Sequence, residues 1–371
     1  MWPIWLIVWR AFLIVDQLEP SIWAALADTL GAQMSFKHAL LAKANSALNA
    51  LNLHALPLHE YRNMKIIYKG PVWTPPALSD SAIEYLQWSN PSLLSLENRY
   101  ANHPASSHTQ WNSEILKTQI DLKNFRGDNH YVYQTRYSPT AATYYVTAYY
   151  VRDTDKLDLF GRLKEDGIFG AYTLPFDNDY VISRDLLDSI NQANVIARLL
   201  QLSADDSFRV LDIGAGYGRL AHRLAEGLPN AHITCTDAVP ISTFISDYYL
   251  NFRGVSGRTE VVPLDLADKA LSGQQFDLVT NFHSFSECKQ SAIGWWLDLL
   301  QTVKCKKLLI IPNAPDHFLS TEADGSHVDF MPLFIQRGWR HTHSEPIYAL
   351  SRVAQDTALY RNFRFHLFDR A

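Results

Sequence analysis

Five short apolar runs between residues 208 and 313 constrain this chain more than any other feature. FRVLDI, HITCTD, EVVPLD, FDLVTN and KKLLIIPN alternate with helical stretches such as RLAHRLAEGLP and CKQSAIGWWLDLLQTV. Near-continuous apolar strands need cover on both faces, and crossover helices supply it. The pattern therefore predicts a parallel sheet wrapped by helices. The tail, EPIYAL and then NFRFHLFDR, is expected to add two closing strands, one as a hairpin partner.

Upstream, the chain reads mostly as helix, with no internal repeat. Residues 21 to 53 carry Ala and Leu at helical spacing, and residues 81 to 97 read as two short helices parted by Asn90-Pro91. Ser138-Pro139 is a good N-cap and first-position pair for a helix over residues 138 to 152, whose aromatic stripe reads as core. DTDKLDLFGRLKEDG is expected to form another short helix stopped by Gly167. Residues 182 to 202 form an amphipathic pattern that hands the chain to the α/β region. The boundary is placed near residue 190, with a helical cap in 1–190 and the ligand-binding domain in 191–371. The cap is expected to supply substrate contacts and an oligomer interface.

Composition narrows the classes. At about 150 residues per domain, 371 residues suggest two or three units. A hydrophobic share of 47% rules out disorder, and a net charge of −5 argues against a general nucleic-acid binder. The cysteines, Cys235, Cys288 and Cys305, provide neither a disulfide framework nor a Cys-based zinc motif, which fits a reducing cytoplasm. The opening MWPIWLIVWRAFLIV is shorter than the ~20 residues of a spanning helix and holds Arg10. It lacks the basic start of a secretory signal, although Ala25-Leu26-Ala27 loosely mimics a cleavage site. A partner-covered helix or a leader from an upstream start codon is expected over an interfacial anchor, so no stable membrane span is expected.

The chemistry centres on Val210-Leu211-Asp212-Ile213-Gly214-Ala215-Gly216-Tyr217-Gly218-Arg219. Glycines serve where backbone must turn sharply and lie against a ligand. A dinucleotide fingerprint would need Gly where Arg219 stands, and Asp212 would repel a pyrophosphate. A carboxylate there suits a cationic ligand end. Asp237 closes the next strand, placed to accept from ribose hydroxyls. Asp265-Leu266 closes the third, where an acid and its neighbouring backbone could meet an adenine amino group. Asn281-Phe282-His283 closes the fourth. All lie at carboxyl ends of strands, where open sheets bind ligands.

This combination resembles the class I S-adenosylmethionine-dependent methyltransferase family over roughly residues 205 to 371. The resemblance implies a Rossmann-like, seven-stranded, mostly parallel sheet with its last strand antiparallel. It implies S-adenosylmethionine as cofactor, lined by Gly214, Gly216 and Gly218, with Asp237 on ribose and Asp265 near adenine. A narrower resemblance covers Phe125-Arg126-Gly127-Asp128-Asn129-His130-Tyr131, Glu165 to Gly170, Ile182-Ser183-Arg184-Asp185, Asn281 to Glu287 and Ile311-Pro312-Asn313. These look like segments of the sugar O-methyltransferases of glycosylated natural-product and polysaccharide pathways. Such relatives often carry an acid where this chain has Ala314.

His283 is the first choice for general base, since an imidazole of near-neutral pKa suits removal of a hydroxyl proton. The alternative is a structural His on a loop carbonyl. Glu287 is a second catalytic candidate, but Ser284-Phe285-Ser286-Glu287 fits a capping box, and capping is the expected role. Asn281 and Asn313 could hold a hydroxyl or the cofactor's amino-acid part, or be turn residues. Arg126, Asp128, Tyr131 and Arg184 form either a polar wall reading sugar hydroxyls, with Arg126 or Arg184 closing on the cofactor carboxylate, or a buried ion-pair cluster. Asp316-His317, the Glu322 to Asp329 loop and His341-Thr342-His343 are weak Mg²⁺ candidates, and a solvated acidic loop is expected instead.

The expected function is methyl transfer to a hydroxyl of a sugar-containing small molecule. Alternatives are a non-sugar O- or N-acceptor and a non-catalytic cofactor-binding scaffold. Homodimerisation is expected from the apolar N-terminal region and the resemblance.

Overall fold

The computed structural model describes residues 76–106, 111–127, 131, 141–177, 180–359 and 361–370. The sequence expectations for residues 1–15, 21–53, Asp128 and Ser138-Pro139 lie outside them.

The apolar runs form the strands β1 (Phe208–Ile213), β2 (Ala231–Thr236), β3 (Thr259–Val261), β4 (Leu278–Phe282) and β5 (Lys307–Ile311). The tail adds β6 (Trp339–Pro346) and β7 (Arg364–Arg370). Their order is β3-β2-β1-β4-β5-β7-β6. The first five are mutually parallel, and β7 is antiparallel to both β5 and β6. This is the expected seven-stranded, mostly parallel sheet. The strand order reverses between β1 and β4, which opens a crevice at their carboxyl ends.

Side-chain alternation sorts the core into two layers. Val210, Leu278 and Leu309 face one way, with α2 (Ala141–Thr154), α3 (Arg184–Leu200) and α4 (Arg219–Gly227), where α1 is the earlier helix Pro91–Tyr100. Leu211, Val279 and Leu308 face the other way, with α1, α5 (Pro240–Phe252) and α6 (Gln290–Thr302). The N-terminal helices thus divide between both faces of the sheet. α3 also runs unbroken through residue 190, so no linker stands at the expected boundary.

Several local expectations hold. Asn90 caps α1 by accepting from the Ser92 amide at 2.8 Å, and Pro91 takes the first helical position. Ser183 caps α3, accepting from Leu186 at 3.1 Å. The aromatic stripe of α2 is core, with Tyr144, Tyr145 and Tyr149 buried.

Three expectations are corrected. Residues 155–167 are not helical: the Asp155 carboxylate accepts from the Leu157 and Phe160 amides at 3.2 and 2.6 Å, and Asp158 and Gly161 adopt positive φ. Local side-chain bonds outcompete the helix there. β3 ends at Val261, and Asp265-Leu266 lie in a following 3₁₀ turn, Leu264–Leu266, because Pro263 cannot donate to a ladder. The sixth strand is Trp339–Pro346, ahead of the expected EPIYAL, since its register pairs Pro346 with Arg364. No described helix is long and apolar enough to cross a membrane.

A buried ion-pair cluster fastens the N-terminal segments to the sheet domain. Arg126 is fully buried and donates to Glu165 at 2.8 Å and to Asp185 at 2.7 Å. Arg223 of α4 donates to Glu165 at 3.1 Å, and Ser183 donates to the same carboxylate at 2.6 Å. The Tyr217 hydroxyl, from the glycine-rich segment, donates to Asp185. Burial disfavours the Arg126 charge, but Asp185 and Glu165 more than offset it and hold the guanidinium protonated. Arg126 therefore belongs to the ion-pair alternative and not to a substrate-reading wall.

Removing one member of such a set leaves a buried charge uncompensated. Arg126→Ala is expected to lower unfolding stability by about 3–5 kcal/mol in urea titration. An unchanged midpoint with a raised KM would instead return Arg126 to substrate reading.

Candidate active site

The site lies at the carboxyl ends of β1, β2, β4 and β5. After β1 the chain turns through Gly214, Gly216 and Gly218, all at positive φ, and Gly218 opens α4. At Gly214 φ is +75°, and a Cβ would collide with the Ser284 side chain, so only glycine fits. At Gly216 φ is +59° and a Cβ would meet nothing within 4 Å, so the backbone there borders open space. The Gly216 amide donates to Asp237 Oδ2 at 2.9 Å, and the Val239 amide to Oδ1 at 2.8 Å. Both carboxylate oxygens are thus set by backbone. Ser242 bonds the same carboxylate, and the Tyr131 hydroxyl bonds Ser242. A residue expected near substrate is thereby linked to one expected on the cofactor.

Asp212 is buried on β1 and accepts from the Thr280 hydroxyl of neighbouring β4 at 2.6 Å. Burial pushes its pKa up to about 6 and that of Asp237 up to about 7. Neither forms an ion pair among the described residues. Two buried acids lacking a cation are costly unless a ligand supplies donors. An ammonium end beside Asp212 and a diol beside Asp237 would meet that need, and the open backbone at Gly216 leaves the room. The chain's residues therefore fit S-adenosylmethionine.

Asn281 is fully buried and spent on backbone: its amide donates to Ile213 O at 2.9 Å and its Oδ1 accepts from Phe285 N at 2.9 Å. It fixes the end of β1 against the turn after β4, with one of its two amide hydrogens spent on that carbonyl. Asp265 pairs with Arg99 of α1, with bonds of 2.8 and 2.6 Å.

The second half of the site follows β4. His283 adopts φ +71°, half-buried, and its Nδ1 bonds Asn313 Oδ1 at 2.9 Å. The Phe363 ring meets it edge-on at 4.6 Å. Burial and the nearby charges of Arg184 and Arg219 push the imidazole down to about 3, so the near-neutral pKa expected for it is corrected. Arg184 also donates to Asp188 within α3 at 2.8 Å.

Glu287 does not cap a helix. Ser284–Glu287 form a 3₁₀ turn, α6 starts only at Gln290, and Glu322 accepts from the Gln290 amide at 3.0 Å instead. The Glu287 carboxyl is turned inward, accepts from the Trp111 indole at 2.7 Å and bonds Asn313. Burial raises its pKa to about 7. Trp111 in turn meets Tyr131 edge-on at 5.2 Å. Sequence reading missed Trp111, Ser242 and Phe363, which carry no motif and come together only in space, and it took Ser284 only as the head of a capping box.

The Mg²⁺ candidates are engaged elsewhere. Asp316 pairs with Arg364 at 3.3 Å, His327 bonds Ser320 O at 2.8 Å, and His341 bonds His366 at 3.1 Å. Among the described residues no three His, Cys, Asp or Glu side chains could hold a metal ion.

A family model described as a methyltransferase domain matches residues 210–303, from β1 to the end of α6. A ribosomal RNA small subunit methyltransferase G of Methylibium petroleiphilum is 23% identical over 147 residues, which are 37% of this chain and 63% of that protein. The chain thus spans less than two thirds of this curated relative. A SAM dependent methyltransferase from Aquifex aeolicus aligns over 48% of this chain and 88% of that one, with 14% identity and a TM-score of 0.34. A 1,6-didemethyltoxoflavin-N1-methyltransferase from Burkholderia thailandensis aligns over 50% and 78%, with 15% identity and a TM-score of 0.36.

The unpaired acids give the unliganded protein a distinct pH dependence. Asp212, Asp237 and Glu287 all have folded pKa values above their unfolded ones, so the folded state binds more protons between about pH 4 and 7. Their contribution is full below pH ~4 and is lost as pH rises to ~7. Thermal stability is expected to fall over that window, and Asp212→Asn to flatten the fall. An identical slope in the variant would place the Asp212 pKa at its ordinary value. With the family match running from β1 to the end of α6, and the glycine-rich turn and Asp237 at the carboxyl ends of adjacent parallel strands, residues 210–303 are a class I, S-adenosylmethionine-dependent methyltransferase domain.

Proposed function

We propose that the whole chain methylates a hydroxyl of a sugar, whether nucleotide-linked, on a glycosylated natural product or in a polysaccharide. The observation that carries this reading is the inward-facing Glu287 carboxyl, held near pKa 7 among Trp111, Asn313 and Tyr131. A hydroxyl is a poor nucleophile until its proton has somewhere to go, and a base of near-neutral pKa is suited to take it. The aromatic edges of Trp111 and Tyr131 beside polar Asn313 and Glu287 suit a ring with one apolar face and several hydroxyls. The narrower family resemblance points to the same acceptor.

In this reading Asp237 holds a ribose diol, Asp212 faces the ammonium end, and the turn from Gly214 to Gly218 lies against the cofactor. Asp265 and Leu266 border its base. Bound there, S-adenosylmethionine supplies a methyl group on a sulfonium, activated for displacement by oxygen. Glu287 Oε accepts the hydroxyl proton as that oxygen becomes nucleophilic. His283, neutral through the working pH range, acts with Asn313 as a hydrogen-bonding pair that orients the acceptor. The base role moves from His283 to Glu287 because burial first, and the charges of Arg184 and Arg219 after it, disfavour an imidazolium. Most of the acceleration then comes from alignment in a site with little water.

Two measurements test this. With a panel of glycosides and nucleotide sugars, log kcat/KM is expected to rise with pH up to about 7 and then level, as Glu287 ionises. Glu287→Gln is expected to cost about 10²- to 10⁴-fold in turnover and to remove that limb, with S-adenosylhomocysteine affinity retained. Persistence of the limb in the variant would assign the base elsewhere. Turnover confined to phenols or amines would reject a sugar acceptor.

A further inference from the structure

Arg99 lies on α1, outside the matched methyltransferase domain, yet it reaches the end of the sheet. Its guanidinium grips both oxygens of Asp265 at 2.8 and 2.6 Å. The neighbouring Tyr100 hydroxyl accepts from the Leu264 amide at 2.6 Å and bonds Thr243 Oγ1 of α5 at 2.9 Å. Two consecutive residues of one N-terminal helix therefore fix the turn after β3, and Tyr100 ties it to the helix that follows Asp237. Tyr100 is itself fully buried. Next to the gripped acid in sequence, the apolar Leu266 is 46% exposed.

We infer that Arg99 is a positioning residue for recognition of the cofactor's base: it orients the Asp265 carboxylate so that a lone pair stays available to an exocyclic amino group beside Leu266. The inference rests on the cofactor reading above. Arg99 supplies the only hydrogen bonds to this carboxylate among the described residues, and a carboxylate held end-on by one guanidinium keeps lone pairs on its outer side. Without Arg99 the side chain of an exposed turn is free to rotate. An oxo group in place of the amino group would turn its own lone pairs towards the acid, which is repulsive.

Calorimetric titration with S-adenosylhomocysteine and its deaminated analogue S-inosylhomocysteine tests this without turnover. The wild-type protein is expected to prefer the amino compound by about tenfold or more, the scale of one hydrogen bond to a charged group. Arg99→Ala is expected to cut that preference to about twofold or less, and Arg99→Lys to restore part of it, a lysine being a point charge without the fork. An exposed ion pair adds little to stability, so the melting temperature of Arg99→Ala should stay near that of wild type. A full preference retained in Arg99→Ala would overturn the inference and leave Arg99 a surface ion pair. Tight wild-type binding with no preference would overturn it while leaving the cofactor reading intact. No wild-type binding of either compound would reject both.

Discussion

The buried pairing of Arg126 and Arg223 with Glu165 and Asp185 is the contact on which the rest of the site depends. Four charges from four distant stretches of chain meet with their side chains almost wholly buried. Each stretch has its own job. Arg126 follows the turn Leu122–Asn124, Glu165 lies in the chain ahead of α3, Asp185 stands in the first turn of α3, and Arg223 lies on α4, the helix that follows the glycine-rich turn. Because Tyr217 donates into the same cluster, the conformation of that turn is tied to the N-terminal region. The desolvation cost of two guanidiniums and two carboxylates is offset only when all are present, so the cluster favours one arrangement over near alternatives.

The molecule treats its buried acids in two ways. Glu165 and Asp185 are surrounded by guanidiniums, and despite burial their carboxyls are held below the usual range. Asp212, Asp237 and Glu287 have no such partner, and burial raises all three. Carboxyls of the first kind hold the fold. Those of the second kind cost stability in the unliganded protein, and they sit together at the crevice where the strand order reverses. Buried acids with raised pKa values grouped in one crevice are a general mark of a ligand site.

The N-terminal region is not an appendage to this crevice. Its helices cover both faces of the sheet. Trp111 and Tyr131 form an aromatic wall beside Glu287, while Arg99 and Tyr100 brace the turn after β3. The matched stretch, residues 210–303, holds Asp212, Asp237 and Glu287, while Arg99, Trp111 and Tyr131 lie ahead of it and Asn313 and Phe363 after it.

The sequence by itself determined the sheet, the glycine-rich turn and the acids at the strand ends. These are legible because they are local: strand and helix periods differ, and the turn needs glycine where φ is positive, as Gly214 does beside Ser284. Gly216 and Asp237 are 21 residues apart, within one strand–helix–strand unit, so their meeting follows from the fold class. The tertiary structure alone decided the rest. Glu287 fits a capping box by spacing, but an indole 176 residues earlier in the chain draws its carboxyl inward. His283 looks like a near-neutral base until burial, helped by the charges of Arg184 and Arg219, disfavours its protonated form. Arg126 reads equally as a substrate contact or an ion pair until Glu165 and Asp185 close around it. In each case the deciding term is the local field and the loss of water, and both depend on groups that sequence distance does not reveal.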